Sequence, residues 1–183
     1  MSGADHEDDQ TDDTNHDHDH HHHDVETLGA GIVTVSSSRT LDDDPAGDAI
    51  AAAFVDDGHE VTTRELVPDD HDRVQATLRN VARRGDVDVV VSTGGTGVTP
   101  DDVTVEAARP LFGKTLPGFG ELFRRLSYDE IGTRIVGTRA VAGIVAGTPL
   151  FCLPGSENAA RLGAEKVIVP EAGHLSGLAT REG

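Results

Sequence analysis

Sulfur and large aromatic side chains are scarce in this chain. Its 183 residues include one cysteine, one methionine, one tyrosine, five phenylalanines and no tryptophan. A lone cysteine, Cys152, excludes an internal disulfide framework and any zinc site built on several thiolates. No apolar run approaches the roughly 20 residues that a membrane-spanning helix needs, and the N-terminus lacks the basic and apolar regions of a signal peptide. A cytoplasmic protein with no membrane partner is therefore expected. Lysine is also nearly missing, Lys114 and Lys166 standing against thirteen arginines. With 33 acidic and 15 basic side chains the net charge is -18, which argues against nonspecific binding to nucleic acid. The length suits one domain of ordinary size.

The acid is unevenly placed. Ten acidic residues and no Lys or Arg fall within residues 1–26, leaving -8 for residues 27–183. The Asp-rich, Lys-poor composition resembles that of proteins from an extreme halophile. In molar salt the screening length falls to about 3 Å, so an acidic shell is tolerated and keeps the protein soluble. Residues 1–26 also hold seven of the ten histidines: His6, His16, His18, His20, His21, His22 and His23. Nothing there is apolar enough to offset the entropy of ordering, so a disordered acidic tail is expected ahead of a single domain over 27–183. Imidazoles at this density chelate nickel or zinc, which leaves open a solvating tail and a metal-handling one.

From Leu28 the pattern changes to short β-rich runs alternating with helical periodicity. Leu28 to Ser36 reads as a buried strand, followed by a helix with Ala46, Ile50, Ala53 and Phe54 on one face and Gly58 as its stop. A second strand over 59–67 leads to a helix over 70–84 that buries Val74, Leu78 and Val81. Val87 to Ser92 is a third strand. One or two helices should follow the loop at 93–100, up to about Ser127. Two close strands come next, 142–147 and 150–153, separated by Thr148 and Pro149. A helix over 156–166 and a final strand over 167–169 complete the expectation. Strand and helix alternating with short connections implies right-handed crossovers and a mostly parallel sheet covered on both faces, with one antiparallel pairing between the two close strands.

Chemistry concentrates in the loops. Thr93-Gly94-Gly95-Thr96-Gly97 follows the third strand, and Thr99-Pro100-Asp101-Asp102 reads as the opening of a helix. Glycines let backbone amides converge on an anion, and a helix N-terminus adds partial positive charge. The run is neither a Walker A loop nor a dinucleotide fingerprint, and by itself it also suits a plain tight turn. Asp102 fits the third helical position of a capping box begun by Thr99 and Pro100. Spacing alone favours this cap; the alternative is a carboxylate projecting toward a phosphate cradle, which calls for Mg²⁺ between the two. Asp69, just after the second strand, has the same two readings, helix cap and second metal ligand. Leu153-Pro154-Gly155-Ser156 is another strand-to-helix turn with Ser156 as a natural cap. Between these loops, residues 109–139 form a basic island of +3, and Phe112, Phe119, Phe123 and Tyr128 fall inside it.

Taken in order, five stretches of sequence closely resemble the MoaB/MogA family of molybdenum cofactor biosynthesis proteins. They are Ser92 through Thr104, Gly118-Phe119-Gly120-Glu121-Leu122-Phe123-Arg124, Tyr128 through Gly132, Arg139-Ala140, and Leu153 through Ser156. The second and third look more like the MoaB branch. The resemblance implies a three-layer α/β/α domain that transfers AMP from ATP to the terminal phosphate of molybdopterin, with magnesium required. It matches the family's essential aspartate to Asp102 and its strand-end acid to Asp69, both as catalytic and metal-holding residues. It places Gly94, Gly95, Thr96 and Gly97 on phosphate, and Phe119, Glu121, Arg139, Pro154, Gly155 and Ser156 along the substrate. A homotrimer or a dimer of trimers is implied, as is a molybdenum insertase as partner. Two departures stand out: Asp101 occupies a position where many members have arginine, and Thr138 replaces the serine before Arg139. The alternatives are a non-catalytic molybdopterin carrier and a metal-handling protein acting through the His-rich tail.

Deleting residues 2–24 is expected to leave folding in high salt unchanged while abolishing tight nickel or zinc binding. Calorimetric metal titration of the truncated protein reads this, and undiminished affinity would place the metal on the domain itself.

Overall fold

The structure, a computed structural model, describes residues 27–180. The acidic, His-rich tail lies outside the described residues. β1 (Gly29–Val35) is buried at every position after Gly29, and β2 (Glu60–Val67) beside it is half-buried. β3 (Val89–Thr93) is wholly buried, as is β6 (Thr148–Leu153). Strands covered on both faces belong at the centre of a sheet flanked by helices. β4 (Lys114–Thr115) and β5 (Val141–Val145) complete a six-stranded sheet in the order β2-β1-β3-β6-β5-β4. β2, β1, β3 and β6 run parallel, whereas β5 pairs antiparallel with β6, and the two-residue β4 extends that pairing at the edge.

Alternation along the strands divides the core in two. Ile32, Val91, Phe151 and Leu153 face α1 (Pro45–Asp56), α4 (Pro117–Ile131), α5 (Glu157–Gly163) and α6 (Val169–Ala179), which contribute Ile50, Phe54, Phe123, Ala160 and Ala172. Val33, Val90, Leu150 and Cys152 face α2 (His71–Ala82) and α3 (Thr104–Ala108) through Val74, Leu78, Val81 and Ala107. The result is the expected three-layer α/β/α arrangement. Full burial pushes the Cys152 thiol up to about 11, so it serves as a small core side chain and not as a nucleophile. Helix starts are fixed locally: Asp44 caps α1 through the Gly47 N–H, Asp70 caps α2 through Arg73, and Ser156 caps α5 through Ala159. Among the described residues no helix is long and apolar enough to cross a membrane.

The structure corrects four local expectations. Residues 167–169 are not a strand: a wide helical turn over Ala164–Ile168 joins α5 to α6, and all three residues are buried within it or at its end. A short apolar run has the same appearance in a buried strand and in a helix buried between neighbours. The hairpin turn is Ala146-Gly147, both with positive φ (52° and 91°), so Thr148 and Pro149 belong to β6. Two residues of that conformation match the twist of the flanking strands. The helix after the glycine loop starts at Thr104, because residues 99–102 first close a separate turn with the Asp102 N–H on the Thr99 carbonyl at 3.0 Å. Finally, Asp70 and not Asp69 caps α2.

Phe151 is 1% exposed and meets the Phe119 ring edge-on at 5.1 Å between centroids. Phe151→Ala should therefore cost about 3–5 kcal/mol of stability, measurable as a shift in the denaturant midpoint.

Candidate functional site

The chain leaves β1 for β2 on one side and returns through α2 to β3 on the other, so a crevice opens beyond the carboxyl ends of β1 and β3. Open α/β sheets bind ligands at such switch points. Two adjoining hollows lie there. One, of about 450 Å³, is lined by Gly95 to Gly97, Asp102, Ser127, Thr138 and residues 154–156 among others. The other, of about 260 Å³, is lined by Thr34, Ser36, Arg39, Asp44 and Gly94 among others. Gly95, Asp102 and Gly155 line both. A larger hollow of about 600 Å³ lies behind Arg139, walled by Glu106, Arg109, Glu121 and Arg124, and it lacks the amide loop.

The glycine loop has its shape because nothing larger fits. Gly94 and Gly95 have φ of 98° and 66°, where other residues are strained. A Cβ on Gly94 would overlap the Val35 carbonyl, and one on Gly95 would overlap the Thr104 hydroxyl. That hydroxyl donates to the Gly94 carbonyl at 2.8 Å, and the Thr104 N–H donates to Gly95 at 3.0 Å. Thr93 and Gly94 in turn bond the carbonyls of Pro154 and Leu153 at 2.9 and 3.0 Å, so the two turns pack backbone against backbone.

Asp102 accepts the Thr99 N–H at 2.8 Å and the Thr99 hydroxyl at 2.7 Å. Partial burial disfavours its charge, but these bonds, the Gly97 N–H and the Arg139 charge outweigh that and hold the carboxyl below its ordinary value. It is an anion at neutral pH. Among the described residues no three His, Cys, Asp or Glu side chains gather into a metal cage. A single carboxylate at the join of two hollows does suit magnesium, which is held by one or two carboxylates together with substrate phosphates and water.

The structure brings Gly95, Thr96, Gly97, Asp102, Pro154, Gly155 and Ser156 around one hollow, with Gly94 in its neighbour. Four other residues singled out in the sequence lie elsewhere. Asp69 lines neither hollow; it accepts the Ser37 N–H at 2.8 Å, while its own N–H bonds the Ser37 hydroxyl at 3.1 Å. Asp102 borders both hollows and Asp69 borders neither. Phe119 is packed in the core against Phe123 and Phe151. Glu121 faces the larger hollow behind Arg139. Arg139 also lines that hollow and turns its guanidinium to the loop itself, Nε to the Gly97 carbonyl at 2.6 Å and Nη2 to the Asp102 carbonyl at 3.0 Å.

Three residues at the site escaped the sequence reading as ligand-facing groups. Asp44 is fully buried, accepting from Thr34 at 2.5 Å, the Gly47 N–H at 3.0 Å and Arg64 at 3.2 Å. Its cap position beside Pro45 was the available signal. Ser127 and Thr138 carry buried hydroxyl oxygens with no hydrogen-bond partner, and both line the 450 Å³ hollow. A buried hydroxyl without a partner is costly unless something completes it. Arg39 and Arg134 border these hollows with the hydroxyls, beside the apolar side chains of Phe123, Ile131 and Ile135, a mixture chemically suited to an anionic ligand with an apolar part.

The architecture is that of an open α/β/α domain with a crevice at its switch point. Residues 31–174 match the family described as a probable molybdopterin binding domain, and the chain belongs to that family, within its MoaB group. It is 41% identical over 150 residues to molybdenum cofactor biosynthesis protein B of Halalkalibacterium halodurans, covering 81% of this chain and 88% of the relative. The Bacillus subtilis protein of that name is 41% identical over 145 residues, 79% of this chain and 85% of the relative. Among solved structures, the tungsten cofactor synthesizing protein MoaB from Pyrococcus furiosus superposes with a TM-score of 0.76 at 38% identity, covering 86% of this chain and 99% of that one.

Ser127→Ala should leave the unliganded fold as stable as the wild type or slightly more so, since it removes an unpaired buried hydroxyl. Molybdopterin affinity should fall by about 1 kcal/mol or more, a fivefold or larger rise in Kd by fluorescence titration. A variant that is destabilised yet binds normally would show that the hydroxyl serves the fold.

Proposed function

We propose that this protein acts in molybdenum or tungsten cofactor biosynthesis as a molybdopterin adenylyltransferase. The observation that carries the reading is the position of Asp102, an anion at the join of two hollows that share Gly95 and Gly155. Two phosphorylated reactants that meet head to head need such a junction. An oxygen of the molybdopterin phosphate attacks the α-phosphorus of ATP and forms the new P–O bond. The bond from that phosphorus to the oxygen bridging to the β-phosphate breaks, and pyrophosphate leaves with the electron pair.

Little covalent chemistry is asked of the protein, so positioning and electrostatics carry the catalysis. With the Gly94 N–H given to the Leu153 carbonyl and the Gly97 N–H to Asp102, the amides of Gly95 and Thr96 would hold phosphate oxygens, and the hydroxyls of Ser127 and Thr138 would find their partners on the ligand. Arg39 and Arg134 at the rims balance anionic charge. Asp102 would hold magnesium arriving with the nucleotide, an ion that supplies neutralisation as charge builds on pyrophosphate. Asp69, engaged with Ser37, acts in this reading on the loop after β1. The trimer or dimer of trimers, the cytoplasmic setting and an insertase that takes the product belong to the same proposal. Exposed Tyr128, Ile131 and Val136 on α4 and the turn after it support association.

Asp102→Asn keeps an oxygen to accept the Thr99 bonds, so its stability should fall by at most about 1 kcal/mol. Single-turnover adenylyl transfer should slow by about 10² or more, with partial rescue by added magnesium and with molybdopterin still bound. Equal rates in wild type and variant would remove Asp102 from the reaction. Tight pterin binding without any transfer by the wild type would instead identify a carrier.

A further inference from the structure

The guanidinium of Arg139 joins the two ends of the 97–102 turn, through Nε to Gly97 at 2.6 Å and Nη2 to Asp102 at 3.0 Å. Its backbone N–H adds a third tie, to the Thr96 carbonyl at 3.1 Å. A guanidinium is planar with donors in fixed directions, so fixing one edge sets the orientation of the others. The remaining edge, Nη1, is held by the carboxylate of Glu106. Glu106 lies on α3, two residues after Thr104, whose hydroxyl ties the Gly94 carbonyl at 2.8 Å. It lines neither hollow of the candidate site, and faces the larger one behind Arg139.

We infer that Glu106 is a positioning residue: by orienting Arg139 it fixes the 97–102 turn, and with it the direction in which Asp102 presents its carboxylate to the two hollows. The hydrogen bond from Arg139 holds the Glu106 carboxyl below its ordinary value, so the pair is ionised at neutral pH. Glu106 is half-exposed and Arg139 a third exposed, a setting in which an ion pair adds little to global stability. Its effect is therefore local. Lysine at 139 could not replace the arginine, because one ammonium cannot span two carbonyls and a carboxylate in a fixed fork.

The kinetic consequence rests on the adenylyl-transfer reading, whereas the geometric one does not, and the experiment separates them. Segment-resolved amide hydrogen exchange is measured on the full chain for wild type, Glu106→Gln, Glu106→Ala, Arg139→Lys and Glu106→Ala/Arg139→Lys. Exchange over residues 97–103 should rise by about tenfold in Glu106→Ala and less in Glu106→Gln, which keeps an acceptor, with the central strands and the melting temperature unchanged. Introduced into Arg139→Lys, the Glu106→Ala change should add nothing further, since both act through one contact. In single turnover with Mg-ATP and molybdopterin, kcat should fall in step with the exchange while KM for ATP holds. Unchanged loop exchange in both Glu106 variants, additive effects in the double variant, or faster exchange with an unaltered rate would each overturn the inference. Faster loop exchange in a protein whose wild type transfers no adenylyl group would uphold the clamp and reject the catalytic reading. Should Glu106→Ala fold poorly, Glu106→Gln alone decides.

Discussion

Gly94 must lie against the Val35 carbonyl on one side and the backbone of Gly155 on the other, where an added Cβ on Gly155 would stand 3.1 Å from the Gly94 Cα. A side chain at Gly94 would drive into the Val35 carbonyl, whereas one at Gly155 would ask Gly94 to give by a few tenths of an ångström, and the rest of the site hangs on that contact. Because Thr93 and Gly94 bond the carbonyls of Pro154 and Leu153, the glycine loop and the Pro-Gly-Ser turn move as one body. Thr104 closes the loop from the side of α3, and Arg139 closes it from the segment before β5. The loop backbone is thus fixed in direction by the protein's own hydrogen bonds.

Charge is arranged on two scales. Over the whole sequence the balance is -18, an acidic shell whose self-repulsion falls as salt rises. At the site the balance is local. Asp44 is buried but fully answered by Thr34, the Gly47 N–H and Arg64, so it stiffens the wall beneath β1 without presenting a bare charge to a ligand. Asp102 is partly exposed and bonded on the Thr99 side. These two carboxylates line the same 260 Å³ hollow and differ in that Asp44 is saturated with donors and wholly buried, whereas Asp102 keeps some exposure.

The unpaired hydroxyls of Ser127 and Thr138 run against the general rule that buried polar groups find partners. Departures from local optimality concentrate where a protein binds something, and both hydroxyls border the hollow that also holds the glycine amides. A ligand that supplied the missing partners would offset their cost in the free protein. Arg139, by contrast, spends its donors on the loop itself.

Sequence by itself determined whatever depends on residues near one another in the chain. The alternation of strands and helices, the apolar face of α2 at Val74, Leu78 and Val81, the glycine loop after β3 and the Ser156 cap all follow from local periodicity and backbone chemistry. The motif order from Ser92 to Ser156 carried the family as well. Tertiary structure alone decided which of those residues meet. Asp69 and Asp102 stand 33 positions apart, and only the packing of the loop after β1 against the turn after β2 shows that Asp69 is committed to Ser37. Glu121 and Phe119 share a helix with Ser127, yet the helix turns Phe119 into the core, Glu121 to another hollow and Ser127 to the site. The run at 167–169 is helix and not strand, with its apolar side chains buried in the core between the sheet and the neighbouring helices, a distinction no local pattern contains. Arg139 reaching back to Gly97 is the same kind of fact: a hydrogen bond across 42 positions depends on where the folded backbone places its two ends.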